Sequence, residues 1–71
     1  MYKFPERLKE LRESKGLSQI QLAKKLNNEV TNSAIAMWET NQRVPNLLAV
    51  ITLAQFFNVS IDYLAGLVDF K

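Results

Sequence analysis

The stretch SQIQLAKKLNNEVTNSAIAMWETNQR, residues 18–43, holds two helical patterns separated by a polar break. Ser18 followed three residues later by Gln21 forms a capping box: the serine oxygen accepts from the amide of residue 21 while the glutamine reaches back. Ile20, Leu22, Ala23 and Leu26 are expected to supply a buried stripe, and Asn27 tolerates the left-handed conformation that stops a helix. Thr31 fits the N-cap of the next helix, with Val30 and Ile35 spaced as a hydrophobic staple across it. Ile35 and Trp38 face inward with Ala34 beside them, which turns residues 32, 33, 36, 37 and 40 outward. That outward face is neutral: it offers Asn, Ser, Ala, Met and Thr and no lysine or arginine.

The same punctuation continues on both sides. Pro5 suits a first helical turn, and Phe4, Leu8 and Leu11 follow at helical spacing until Gly16. Val44-Pro45 breaks the chain, and Asn46 caps a fourth helix whose inward positions are Leu47, Val50, Leu53, Ala54 and Phe57. Ser60 caps a fifth that carries Ile61 and Leu64 and closes at Gly66. No hairpin turn and no sustained alternation marks a strand. The expectation is an all-α, five-helix bundle forming one domain over residues 1–71, with helices about 5–15, 18–27, 31–41, 46–58 and 60–66.

Composition narrows the function classes. Seventy-one residues leave no room for a second domain. Without cysteine or histidine the chain lacks thiolates, the commonest metal ligand and the usual general base at neutral pH. No nucleophile–base pair or glycine-rich phosphate loop is present, and both glycines serve helix ends, so neither an enzyme nor a metal or cofactor site is expected. The apolar run Leu47–Ile51 is far short of the roughly 18 residues that span a bilayer, and the N-terminus lacks a signal-peptide pattern. A cytoplasmic protein without a membrane partner is the expectation. Charge is uneven: residues 1–25 carry seven basic against three acidic side chains, a net of +4, and residues 26–71 carry two against four, a net of −2. One end can therefore present a positive face, although each lysine equally suits a solvated helix surface.

Two helices joined by a short turn, the second freshly capped, describe a helix-turn-helix. The chain resembles the lambda-repressor/Cro-like family of small bacterial and phage DNA-binding domains over nearly its whole length. The resemblance runs from Arg7-Leu8-Lys9-Glu10-Leu11-Arg12 through Gly16-Leu17-Ser18-Gln19 and Gln21-Leu22-Ala23. It continues through Ile35, Trp38-Glu39, Arg43-Val44-Pro45 and Asn58-Val59-Ser60-Ile61-Asp62-Tyr63-Leu64. One departure stands out: the family passes from the helix-two stop directly to the capped reading helix, whereas here Asn28-Glu29 intervenes as a two-residue insertion. A carboxylate at Glu29 would repel phosphates if it faced them.

The resemblance implies that helix three lies in the major groove of double-stranded DNA, with Asn32, Ser33, Ala36 and Met37 at base edges. Asn32 suits bidentate contact with adenine, Ser33 donates or accepts, and Ala36 and Met37 pack on thymine methyls, which predicts an A·T-rich site. Asn32 also fits a second helix cap, and Met37 also fits packing against a neighbour. The resemblance further places Ser18, Gln19, Thr31, Thr40, Asn41, Gln42 and Arg43 at phosphates, with Lys3, Lys24 and Lys25 as outlying cations. It pairs Arg12 with Glu39 as an ion pair tying helix one to helix three.

Such domains bind as two-fold dimers on palindromes with half-sites about 34 Å apart. Leu48, Phe56, Tyr63, Leu67, Val68 and Phe70 are the candidate homodimer contacts; folding of Val68 and Phe70 onto the core is the alternative. The function implied is transcriptional repression by operator binding. A second reading keeps the frame and changes its role to that of a protein-interaction module. An antitoxin or an anti-repressor partner would use the neutral face at Ala36 and Met37 together with Leu48.

Overall fold

The computed structural model describes residues 2–71. Its elements are α1 (Phe4–Ser14), α2 (Gln19–Lys25), α3 (Asn32–Glu39), α4 (Leu47–Phe57) and α5 (Ile61–Ala65), and no strand occurs among the described residues. Four starts follow one chemistry. Ser18, Thr31, Asn46 and Ser60 each sit in extended backbone just ahead of a helix and accept a hydrogen bond from the amide three residues on. At α2 the box is complete, since the Ser18 amide donates to Gln21 Oε1 at 2.8 Å. Stops are equally local: Gly16, Asn27, Asn41, Asn58 and Gly66 all have positive φ, a conformation that glycine and asparagine enter at least cost. α2 to α5 are one or two residues shorter at each end than the sequence pattern suggests, because caps and closing turns lie outside them, and α1 is shifted by one residue toward the N-terminus.

Every amphipathic face turns toward one core. α1 packs against both α3 and α5, α2 packs against α3, and α4 packs against α5. Phe4, Leu8, Leu22, Ile35, Leu53 and Leu64 are fully enclosed, and the Phe4 ring meets Trp38 edge-on at 6.2 Å. Val30 and Ile35 are both buried, as a staple across Thr31 requires.

Several core expectations fail for geometric reasons. Ile20 is 56% exposed, because Leu22, Ala23 and Leu26 define the buried stripe of α2 and a residue two positions before Leu22 faces away from it. Leu47 is exposed and Val50 only half-buried: the inner stripe of α4 is rotated toward Ala49, Leu53, Ala54 and Phe57. Ile61, at the first position of α5, is also exposed. Tyr63 is buried, which removes it from the candidate dimer contacts. Its ring lies beneath the Arg7 guanidinium at 4.1 Å, and its carbonyl accepts from Arg7 Nη1.

Arg7 is the polar centre that the sequence pattern conceals. Only 8% exposed, it donates to the carbonyls of Tyr63 and Val68 and to Asp69 Oδ1 at 2.9 Å. Lys3 Nζ reaches the same carboxylate at 3.3 Å, and the Ser60 amide donates to the Lys71 carbonyl at 3.0 Å. The segment after α5 is thereby clamped against both α1 and the start of α5. Val68 packs against the core while Phe70 and Leu67 stay exposed, and Phe56 is half-buried edge-on to Phe57.

Candidate nucleic-acid interface

The short turn between α2 and α3 fixes how the third helix is presented. Asn27 and Asn28 both adopt left-handed backbone, φ 56° and 59°. The Asn28 amide returns to the Ala23 carbonyl at 2.9 Å and the Glu29 amide to the Leu26 carbonyl at 3.0 Å. Asn28 and Glu29 thus form one further hydrogen-bonded turn that delivers Val30 into the core, and Glu29 stays exposed. Glu29 and Val30 line one rim of a cleft of about 460 Å³, which continues over Thr31, Ala34, Trp38 and Leu48.

A three-residue chain links the helices behind the α3 face. Arg12 Nε and Nη2 donate to Glu39 Oε2 and Oε1 at 2.8 and 2.9 Å, a two-point contact that matches the flat guanidinium to the carboxylate. Arg12 Nη1 also donates to the Leu17 carbonyl at 2.8 Å. The Glu39 side chain is only 4% exposed, and its hydrogen bond holds the Arg12 pKa above the ordinary value. Gln19 Nε2 donates to Glu39 Oε1 at 3.2 Å. One carboxylate at the end of α3 therefore fixes α1 and also the first residue of α2. The Gln19 link was invisible in sequence because the two residues lie 20 positions apart and nothing local requires it.

The candidate base-reading residues share one side of α3. Asn32 and Ser33 are exposed in its first turn, and Ala36 and Met37 are half-buried one turn on. Asn32 is not the cap of the helix: Thr31 Oγ1 accepts from the Ala34 amide at 3.1 Å, which leaves the Asn32 amide group available. The candidate phosphate residues divide by free donors. Ser18 and Thr31 use an oxygen lone pair to cap, so each hydroxyl proton remains free to donate. Thr40 differs, because its hydroxyl donates to the Ala36 carbonyl at 2.8 Å and accepts from Gln42 Nε2 at 2.8 Å. Asn41 turns the chain at φ 59°, and the amides of Gln42 and Arg43 close on the Met37 carbonyl. Arg43 projects from this turn, exposed, and among the described residues it is the cation that follows α3 directly.

Among the described residues no group of three His, Cys, Asp or Glu side chains could hold a metal ion, and no helix is long and apolar enough to cross a membrane.

Comparison with known proteins points the same way as this geometry. The family described as helix-turn-helix matches residues 8–64. The chain is 41% identical over 61 residues to the HTH-type transcriptional activator BcrR of Enterococcus faecalis, covering 86% of this chain and 29% of that protein. It is 38% identical over 61 residues to the HTH-type transcriptional regulator ImmR of Bacillus subtilis, covering 86% of this chain and 46% of that protein. With the HTH-type transcriptional regulator YobD of the same species it shares 34% over 64 residues, covering 90% of this chain and 55% of that protein. The chain thus spans between 29% and 55% of the length of these relatives.

Proposed function

Because the chain belongs to the lambda-repressor/Cro-like helix-turn-helix family of DNA-binding transcriptional regulators, we propose that it binds double-stranded DNA sequence-specifically by inserting α3 into the major groove. The carrying observation is that Asn32 and Ser33 stand free in the first turn of α3 while Glu39, at its other end, is fixed by Arg12 and Gln19. A reading helix needs that combination of open donors on a rigid frame. Asn32 pairs with adenine through its amide, Ser33 with a neighbouring base, and Ala36 and Met37 with thymine methyls.

The backbone grip comes from the hydroxyls of Ser18 and Thr31, the remaining amide proton of Gln19, and Asn41, Gln42 and Arg43 around the turn after α3. Thr40 joins as an acceptor-side support for Gln42, since its own proton is spent on Ala36. Two copies bind a palindromic operator and repress by occupying it. Leu48, Leu67 and Phe70 are the exposed apolar groups that support pairing, with Val68 contributing its half-buried edge. Selection of binding sites from random duplex DNA tests this reading. The expected product is an A·T-rich palindrome with half-sites about one helical turn apart; enrichment of no motif at low salt overturns it and favours the protein-interaction alternative.

A further inference from the structure

One cluster of cations joins the ends of α1 and α2. Lys15 follows the end of α1, Lys24 and Lys25 close α2, and all three are exposed. Two adjoining clefts of about 390 and 360 Å³ run between them. The first is lined by Lys15, Leu17, Lys25 and Phe56, the second by Leu17, Gln21, Lys24 and Lys25. Leu17 and Lys25 are common to both; Leu17 and Phe56 supply the apolar side chains and the three lysines the cations. Lys15 Nζ sits 5.9 Å from the centre of the Phe56 ring. Among the described residues the ion pairs are Lys3–Asp69, Arg7–Asp69 and Arg12–Glu39, so none of the three rim lysines has a carboxylate within 4.0 Å.

We propose that this face docks an acidic amphipathic segment of a partner protein. An apolar side chain of the segment seats on Leu17 and Phe56, and flanking carboxylates meet Lys15, Lys24 and Lys25. The charge pattern selects such an occupant: unpaired lysines beside the apolar Leu17 and Phe56 complement carboxylates around an apolar anchor. Nucleic acid fits less well. Lys24 and Lys25 stand five and six residues beyond Gln19, about 7.5 and 9 Å along the helix from the end that the proposed complex turns to DNA, and the apolar Leu17 and Phe56 offer a phosphate no partner. A second copy of this chain fits poorly too. Its α1 carboxylates, Glu6, Glu10 and Glu13, have no exposed apolar neighbour on that helix, and Asp69, which lies beside exposed Leu67 and Phe70, is already held by Lys3 and Arg7.

The test is an amide chemical-shift titration of the labelled protein with a short peptide alternating acidic residues with leucine and phenylalanine. Saturable shifts at Lys15, Leu17, Gln21, Lys24, Lys25 and Phe56 are expected. The Lys24→Glu/Lys25→Glu variant, with an unchanged Tm, is expected to bind at least about tenfold more weakly; Lys15→Glu gives a second, independent reading. Four results would overturn the proposal: no shift at these amides; equal affinity for a peptide with serine in place of its apolar residues; the same shifts on concentrating the protein alone, which assigns the face to a second copy; or the same shifts with random duplex DNA and none with the peptide.

Discussion

At the scale of single residues, two side chains with opposite surroundings carry the frame and the proposed readout. Glu39 is enclosed, and Arg12, 9% exposed, has no other carboxylate partner among the described residues. Removing the carboxylate strands a buried cation, and such losses cost about 3–5 kcal/mol. Glu39→Ala should therefore lower Tm by more than about 10 °C in a domain of this size, as thermal unfolding by circular dichroism will show; an unchanged Tm would mean that the pair is idle. Asn32 is the contrary case, exposed and with its side-chain amide turned to solvent. Asn32→Ala should leave Tm unchanged and erase about 1–3 kcal/mol of preference for adenine at one operator position. Binding assays on duplexes altered one base pair at a time measure this, and a loss that is uniform over all sequences would reassign Asn32 to the backbone.

At the scale of elements, the insertion and the C-terminal clamp make separate predictions. Asn28 holds φ 59° within the turn that precedes α3. A β-branched residue there meets the left-handed penalty of about 1–2 kcal/mol that glycine escapes, so denaturant titration should show Asn28→Val destabilised and Asn28→Gly close to the parent. The clamp responds to acid. Lys3 and then Arg7, by hydrogen bonding, hold the Asp69 pKa below the usual carboxylate value. A carboxylate whose folded pKa is depressed stabilises the fold above its unfolded pKa and loses that contribution as pH falls through the folded one. The exchange protection factor of the Ser60 amide, which donates to the Lys71 carbonyl, should accordingly fall below about pH 4, the ordinary aspartate range, ahead of protection in α1; simultaneous loss would show that the tail is not held by Asp69. These elements also mark how far the sequence can be read. Caps at Ser18, Thr31, Asn46 and Ser60 and the stop at Asn27 are local chemistry, so each was legible. The exposure of Ile20 and Leu47 depends on which way a short helix is rolled, and the enclosure of Tyr63 depends on Arg7, 56 residues away. The outward face of α3 follows from helical spacing and its assignment to base edges from the family resemblance, whereas the Gln19–Glu39 contact requires the assembled fold.

For the whole molecule, a domain with net charge +2 and a neutral outward face on α3 is proposed to grip DNA. In the proposed complex hydroxyl and amide donors around α3 would carry the backbone contacts, Arg43 would supply the adjacent cation, and Asn32, Ser33, Ala36 and Met37 would meet base edges. Such a design makes affinity modestly electrostatic and strongly dependent on sequence. The most direct measurement is the dissociation constant for the selected palindrome and for a random duplex, each determined across a salt series. The predicted log–log slope is about −2 to −4, as expected for a dimer neutralising only a few phosphates, with at least about a thousandfold preference for the palindrome at physiological salt. Equal binding of the two duplexes at every salt concentration, or no binding of either, would contradict it.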